Sequence, residues 1–128
     1  MIYADTDFFL ALMKPDDWLK ENAEKILKKY SGQITTSETT FLELLIVARK
    51  YDLDPIRLTS AVMALTGIED DVYLRAAYYM KEHGLNPFDA FHAAKCGGVI
   101  ISSDRVYERI GIKRIRLENP EEAEEREY

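Results

Sequence analysis

Between Asn86 and Ile101 the sequence spells out a complete helix-to-strand unit. Asn86 and Pro87 suit the N-cap and first position of a helix: Asn accepts from an orphan backbone N–H, and Pro has none to lose. Phe88-Asp89-Ala90-Phe91-His92-Ala93-Ala94 continues as an apolar helix, Gly97-Gly98 stops it, and Val99-Ile100-Ile101 follows as a strand. A strand apolar at successive positions has no solvent face by pattern. It predicts a parallel sheet covered on both sides.

The rest of the chain alternates in the same way. Ile2-Tyr3-Ala4 reads as a short buried strand, and residues 8–13 as a helical turn closed by Lys14-Pro15. Asp16 is a candidate N-cap for a helix through Trp18, Leu19, Ala23, Ile26, Leu27 and Tyr30, whose spacing follows one helical face. Ser31-Gly32 ends it, and Ile34-Thr35-Thr36 is a weaker strand. Thr35 with Glu38 forms a candidate capping box for a helix reaching about Tyr51. Asp54-Pro55 opens another helix, and residues 68–83 a further one with Gly84 as its stop. A last strand covers residues 114–116. The expected class is α/β, a three-layer αβα sandwich with a short central parallel sheet.

A chain of 128 residues, 47% of them hydrophobic, is one domain with a core of its own. Residues 1–117 form the expected domain, and residues 118–128 an acidic C-terminal tail. No apolar run is long enough to span a membrane, and the opening residues lack the pattern of a signal peptide. The single Cys96 fits a reducing, cytoplasmic setting. The net charge of −6 is concentrated in the tail, which carries −5. The remaining −1 becomes +3 once four acids are set aside as metal ligands, so a nucleic-acid substrate stays open. Tight metal-independent binding to a phosphate backbone does not fit.

Those four acids stand at positions that read as buried. Asp5 follows a strand; Glu43 interrupts Phe41-Leu42-Glu43-Leu44-Leu45; Asp89 opens the second apolar helix; Asp104 follows Val99-Ile100-Ile101. A buried carboxylate costs several kcal/mol unless paired or metal-bound, so four of them suggest a shared cation. In parallel sheets, ligands bind beyond the carboxyl ends of strands, where Asp5 and Asp104 belong. Each acid also has a plainer reading: Asp5 as a helix cap, Asp89 as a first-turn acid, Asp104 as a turn residue, Glu43 as an exposed acid.

Four segments together resemble the PIN domain family, and most closely the short toxins of VapBC toxin–antitoxin pairs. The segments are Tyr3-Ala4-Asp5-Thr6-Asp7, Thr39 to Leu45 with its acid Glu43, Asp89-Ala90-Phe91-His92-Ala93-Ala94, and Ser102-Ser103-Asp104-Arg105-Val106-Tyr107. The last is similar to a Thr/Ser-x-Asp-x-Asp-Phe pattern but carries Val106 where a second acid is common. The resemblance implies metal-dependent cleavage of RNA, with Asp5, Glu43, Asp89 and Asp104 around Mg²⁺ or Mn²⁺, which prefer oxygen donors. Ser102 is expected to orient Asp104, Thr6 to orient substrate or Asp5, and Asp7 to add an oxygen. Lys95 and Arg105 are candidates for substrate phosphates. The resemblance further implies a small VapB-like antitoxin partner and a homodimer.

Three rivals remain. Val106 leaves room for a noncatalytic scaffold, and a non-toxin nuclease of RNA processing would share every motif. Asp5-Thr6-Asp7 also fits the start of a haloacid-dehalogenase-type phosphatase with Asp5 as nucleophile. That reading needs a downstream acidic pair at the sheet edge; Asp70-Asp71 is such a pair, but it lies in a helical stretch rather than after a strand.

Overall fold

The computed structural model describes residues 1–120. Eleven elements follow in order among them: β1 (Ile2–Tyr3), α1 (Thr6–Met13), α2 (Lys20–Tyr30), β2 (Ile34–Thr35), α3 (Glu38–Lys50), α4 (Pro55–Thr66), α5 (Asp71–His83), α6 (Pro87–Lys95), β3 (Val99–Ser102), α7 (Val106–Arg109) and β4 (Lys113–Arg116). The fold is mixed α/β with short parallel strands, the PIN-like class expected.

Hydrogen bonding groups the four strands into two parallel pairs, β1 with β2 and β3 with β4. Ile2 faces Ile34 and Tyr3 faces Thr35; Val99, Ile100, Ile101 and Ser102 face Lys113, Arg114, Ile115 and Arg116 in turn. The strands are more open than their sequences suggest. Val99 is 45% exposed and Ile101 68%, with Ile115 and Leu117 exposed beside them. Ile2 and Tyr3 are also exposed. An unbroken apolar run therefore does not mark a strand buried on both faces here. Alternate side chains of β3 meet the core, and their neighbours stand in solvent.

The core lies among the helices. Phe9 from α1, Phe41, Leu44 and Leu45 from α3, Val62 from α4, and Ala76 and Ala77 from α5 are essentially solvent-free. Phe41 stacks on Tyr73 of α5 with ring centroids 3.9 Å apart. The small residues Ala90, Ala93 and Ala94 let α6 pack closely against α5.

Most helix boundaries follow their caps. Asp54 accepts from Ile56 N at 3.0 Å, and Asn86 from Asp89 N at 2.9 Å. Gly67 and Gly84 close α4 and α5 in the left-handed region, which glycine enters without steric cost. Three expectations fail. The second helix starts at Lys20 rather than after Asp16, because Asp17 turns its carboxylate onto Leu19 N at 2.9 Å and forms a local turn. Trp18 is consequently 86% exposed. The Thr35–Glu38 capping box does not form, since Thr35 is held in β2 and Ser37 becomes the N-cap. The helix expected over residues 68–83 begins only at Asp71, with Asp70 accepting from Val72 N at 3.0 Å. Asp70 and Asp71 thus serve a helix start, not a strand edge.

Candidate active site

The first acids gather around Thr6. Asp5 directly follows β1 and is the N-cap of α1, accepting from Thr6 N at 2.6 Å through Oδ1. The buried Thr6 side chain turns away from Asp5. Its hydroxyl donates to Glu43 Oε1 on α3 at 3.1 Å and lies 3.5 Å from Thr40 Oγ1. Behind it, Thr36 Oγ1 lies 2.7 Å from Thr40 Oγ1 and 3.0 Å from the Ala4 carbonyl, which it meets as donor. A buried thread of hydroxyls therefore joins the end of β1 to α3 and supports Glu43. Thr6 was expected to orient substrate or Asp5; of these the structure holds Asp5, and the hydrogen bond Thr6 makes through its side chain goes to Glu43 instead.

The second group centres on Asp89, at the third position of α6. Asn86 Nδ2 donates to its Oδ2 at 2.7 Å, and the Tyr107 hydroxyl donates to its Oδ1 at 3.2 Å. Tyr107 is 3% exposed. Burial first, then the charge and hydrogen bond of Asp89 and the charge of Asp104, push the Tyr107 hydroxyl up to about 12. Asp104 follows β3 and accepts from Val106 N at 2.9 Å, which starts α7. The Ser102 hydroxyl accepts from Asp104 N at 3.0 Å, so it fixes the backbone of the turn rather than the carboxylate.

Asp5, Glu43 and Asp104 are exposed, and Asp89 is half-buried. The burial cost that singled them out in the sequence therefore does not apply to three of the four. Glu43 points out of its helix while Leu44 and Leu45 point in, and Asp5 and Asp104 follow strands whose own side chains are largely exposed. Asp7 is exposed in the first turn of α1, and His92 is exposed on α6. Lys95 is held by Glu38 at 2.9 Å, and Arg105 is exposed beside Asp104.

The donors suit a hard divalent cation by chemistry, being carboxylate and hydroxyl oxygens without a thiolate. Hydrogen bonds connect them as two sets, Asp5 and Glu43 through Thr6, and Asp89 through Tyr107 beside the Asp104 turn. Among the described residues, no three His, Cys, Asp or Glu side chains are placed to hold one ion together.

A family model, PIN domain, matches residues 2–113. The chain belongs to the PIN domain family. All four acids fall within the matched span, as do Thr6 and Tyr107. PIN domains are generally metal-dependent nucleases, so membership indicates a nuclease acting on nucleic acid. No curated protein and no solved structure matches the chain. Among the described residues, no helix of this PIN domain is long and apolar enough to cross a membrane.

Asn86, Thr36, Thr40 and Tyr107 were not singled out as site residues in the sequence. Asn86 precedes Asp89 by three positions, and Thr36 precedes Thr40 by four, so local spacing carried a signal for both pairs. Tyr107 carried a weaker one, a hydroxyl where the similar segment ends in Phe.

Proposed function

We propose that this PIN domain is a metal-dependent endoribonuclease, cutting single-stranded or structured RNA, and the toxin of a toxin–antitoxin pair. The carrying observation is that the PIN match over residues 2–113 spans Asp5, Glu43, Asp89 and Asp104 together. Asp5, Asp104, Asp89 and Glu43 would hold Mg²⁺ or Mn²⁺. When bound, such an ion offsets phosphate charge and lowers the pKa of a water.

The chain's own residues divide the remaining work. Asp5 and Asp104 each give one oxygen to a backbone N–H and keep the other open among the described residues. Both are exposed, so they supply accessible negative charge. Thr6 orients Glu43, and Asn86 and Tyr107 orient Asp89. Arg105 is free to meet a substrate phosphate next to Asp104. Lys95 reaches phosphate only by leaving Glu38, and an exposed, solvent-screened pair of this kind holds it weakly. Asp7 adds a further exposed acid in the first turn of α1.

The toxin assignment, the small VapB-like antitoxin and the homodimer rest on the resemblance of the four segments to VapBC toxins. Light scattering that returns a monomer at high concentration would count against the homodimer. The domain proper is taken as residues 1–117, with residues 118–128 as an acidic tail, of which 121–128 lie outside the described residues.

The test is cleavage of a mixed-sequence single-stranded RNA by the parent and by Asp5→Asn, with Mg²⁺ or Mn²⁺ and with EDTA. Metal-dependent cutting that disappears in Asp5→Asn supports the reading. A folded, partner-free parent that cuts nothing under any of these conditions overturns it in favour of a scaffold.

A further inference from the structure

Asp89 is the one acid of the four whose two oxygens both receive side-chain donors among the described residues. The donors come from different elements and reach different oxygens. Asn86 approaches from the same helix, and its own Oδ1 accepts from Asp89 N at 2.9 Å, so it grips backbone and carboxylate at once. Tyr107 approaches from α7, eighteen positions along the chain. Its burial leaves the ring little freedom, and an ionised carboxylate can only accept, so the phenol must be the donor.

The hydroxyl is surplus to packing. A phenylalanine would fill the same core volume and leave Asp89 Oδ1 without this donor. The hydroxyl also couples two acids. Asp104 starts α7 by accepting from Val106 N, and Tyr107 is the next residue. The bond from Tyr107 to Asp89 therefore ties the Asp104 turn to α6.

We propose that Tyr107 is a positioning residue which, with Asn86, clamps the Asp89 carboxylate in one orientation and fixes it relative to Asp104. Its effect on turnover rests on the nuclease reading; the clamp itself does not. Each Asp89 oxygen keeps an unshared pair outside the clamp, so the carboxylate remains able to act.

NMR of the full chain with labelled tyrosine tests the clamp directly. A hydroxyl proton in slow exchange should be resolved for Tyr107 and should vanish in Tyr107→Phe. RNA cleavage tests its service. Tyr107→Phe should lower kcat by about 10- to 100-fold with KM within about twofold, the range usual for residues that orient a site carboxylate. Asn86→Ser, which keeps the helix cap but removes the amide donor, should lower kcat in the same direction. Absence of the hydroxyl signal, or a folded Tyr107→Phe with parental kcat, overturns the proposal. A parent that shows the signal yet cuts no RNA sinks the nuclease reading while supporting the clamp.

Discussion

Thr6 donates its hydroxyl to Glu43 across 3.1 Å, joining the first turn of α1 to the middle of α3. Glu43 is exposed and Thr6 is buried, so the contact holds a solvent-facing acid from below. Thr6→Val keeps the shape and removes the donor. The expected cost in stability is about 1 kcal/mol, the worth of an ordinary hydrogen bond. RNA cleavage should fall at least tenfold, because Glu43 then samples several rotamers, while Thr6→Ser should retain most activity. Urea unfolding and single-turnover cleavage on the three proteins separate the two effects. Parental turnover in folded Thr6→Val would remove Thr6 from the machinery.

Asp5 has two duties that substitution can divide. It caps α1 through Oδ1, and the nuclease reading needs its other oxygen. Asn caps a helix about as well as Asp, whereas Ala costs about 1 kcal/mol. Asp5→Asn should therefore unfold within about 0.5 kcal/mol of the parent, a range ordinary for surface changes, yet lose cleavage. Asp5→Ala should lose both. Full activity in Asp5→Asn would reduce Asp5 to a cap.

The sequence made the helices and the order of the acids legible because both are local properties. Asn86-Pro87, Asp54-Pro55 and Gly84 each fix a boundary through one or two residues. Exposure was not legible. Val99-Ile100-Ile101 is apolar throughout, but which of its faces meets the core depends on elements elsewhere, and two of the three residues stand open. The four acids were found through an argument from burial that three of them do not satisfy; the family segments located them independently. The partners of the acids were the least legible. Tyr107 meets Asp89 through chain folding across a helix end and a strand, and no short spacing encodes that contact.

Metal should act on stability as well as on cleavage. An ion that binds the folded chain alone raises stability by mass action, about 2.7 kcal/mol at a hundredfold excess over Kd. Mn²⁺ should therefore raise Tm, EDTA should restore the starting value, and Asp104→Asn should blunt the rise. Val106 leaves no second acid beside Asp104, so titration calorimetry should return one strong ion per chain. No shift in Tm and no binding heat with either Mg²⁺ or Mn²⁺ would exclude the metal from the site.

Arg114 gathers the far side of the β3–β4 pair. Its side chain is 1% exposed; Nη1 donates to the Ser102 carbonyl at 2.7 Å, and Glu118 receives both Nη1 at 2.7 Å and Nη2 at 3.0 Å. Glu108 lies within 3.2 Å of Nε. Glu118, the first residue of the acidic stretch, is thereby tied to β4. The hydrogen bond from Arg114 is the main cause that holds the Glu118 carboxyl down at about 2, against 4.5 for a free glutamate. A carboxyl depressed by folding stabilises the folded state at pH above 4.5, and that contribution disappears as pH falls through about 2. Glu118→Gln should accordingly lower Tm at pH 7 and flatten the decline in Tm between pH 4.5 and 2. Thermal unfolding followed across that range checks it. A parental acid profile in Glu118→Gln would show that the pair with Arg114 contributes nothing to stability in solution.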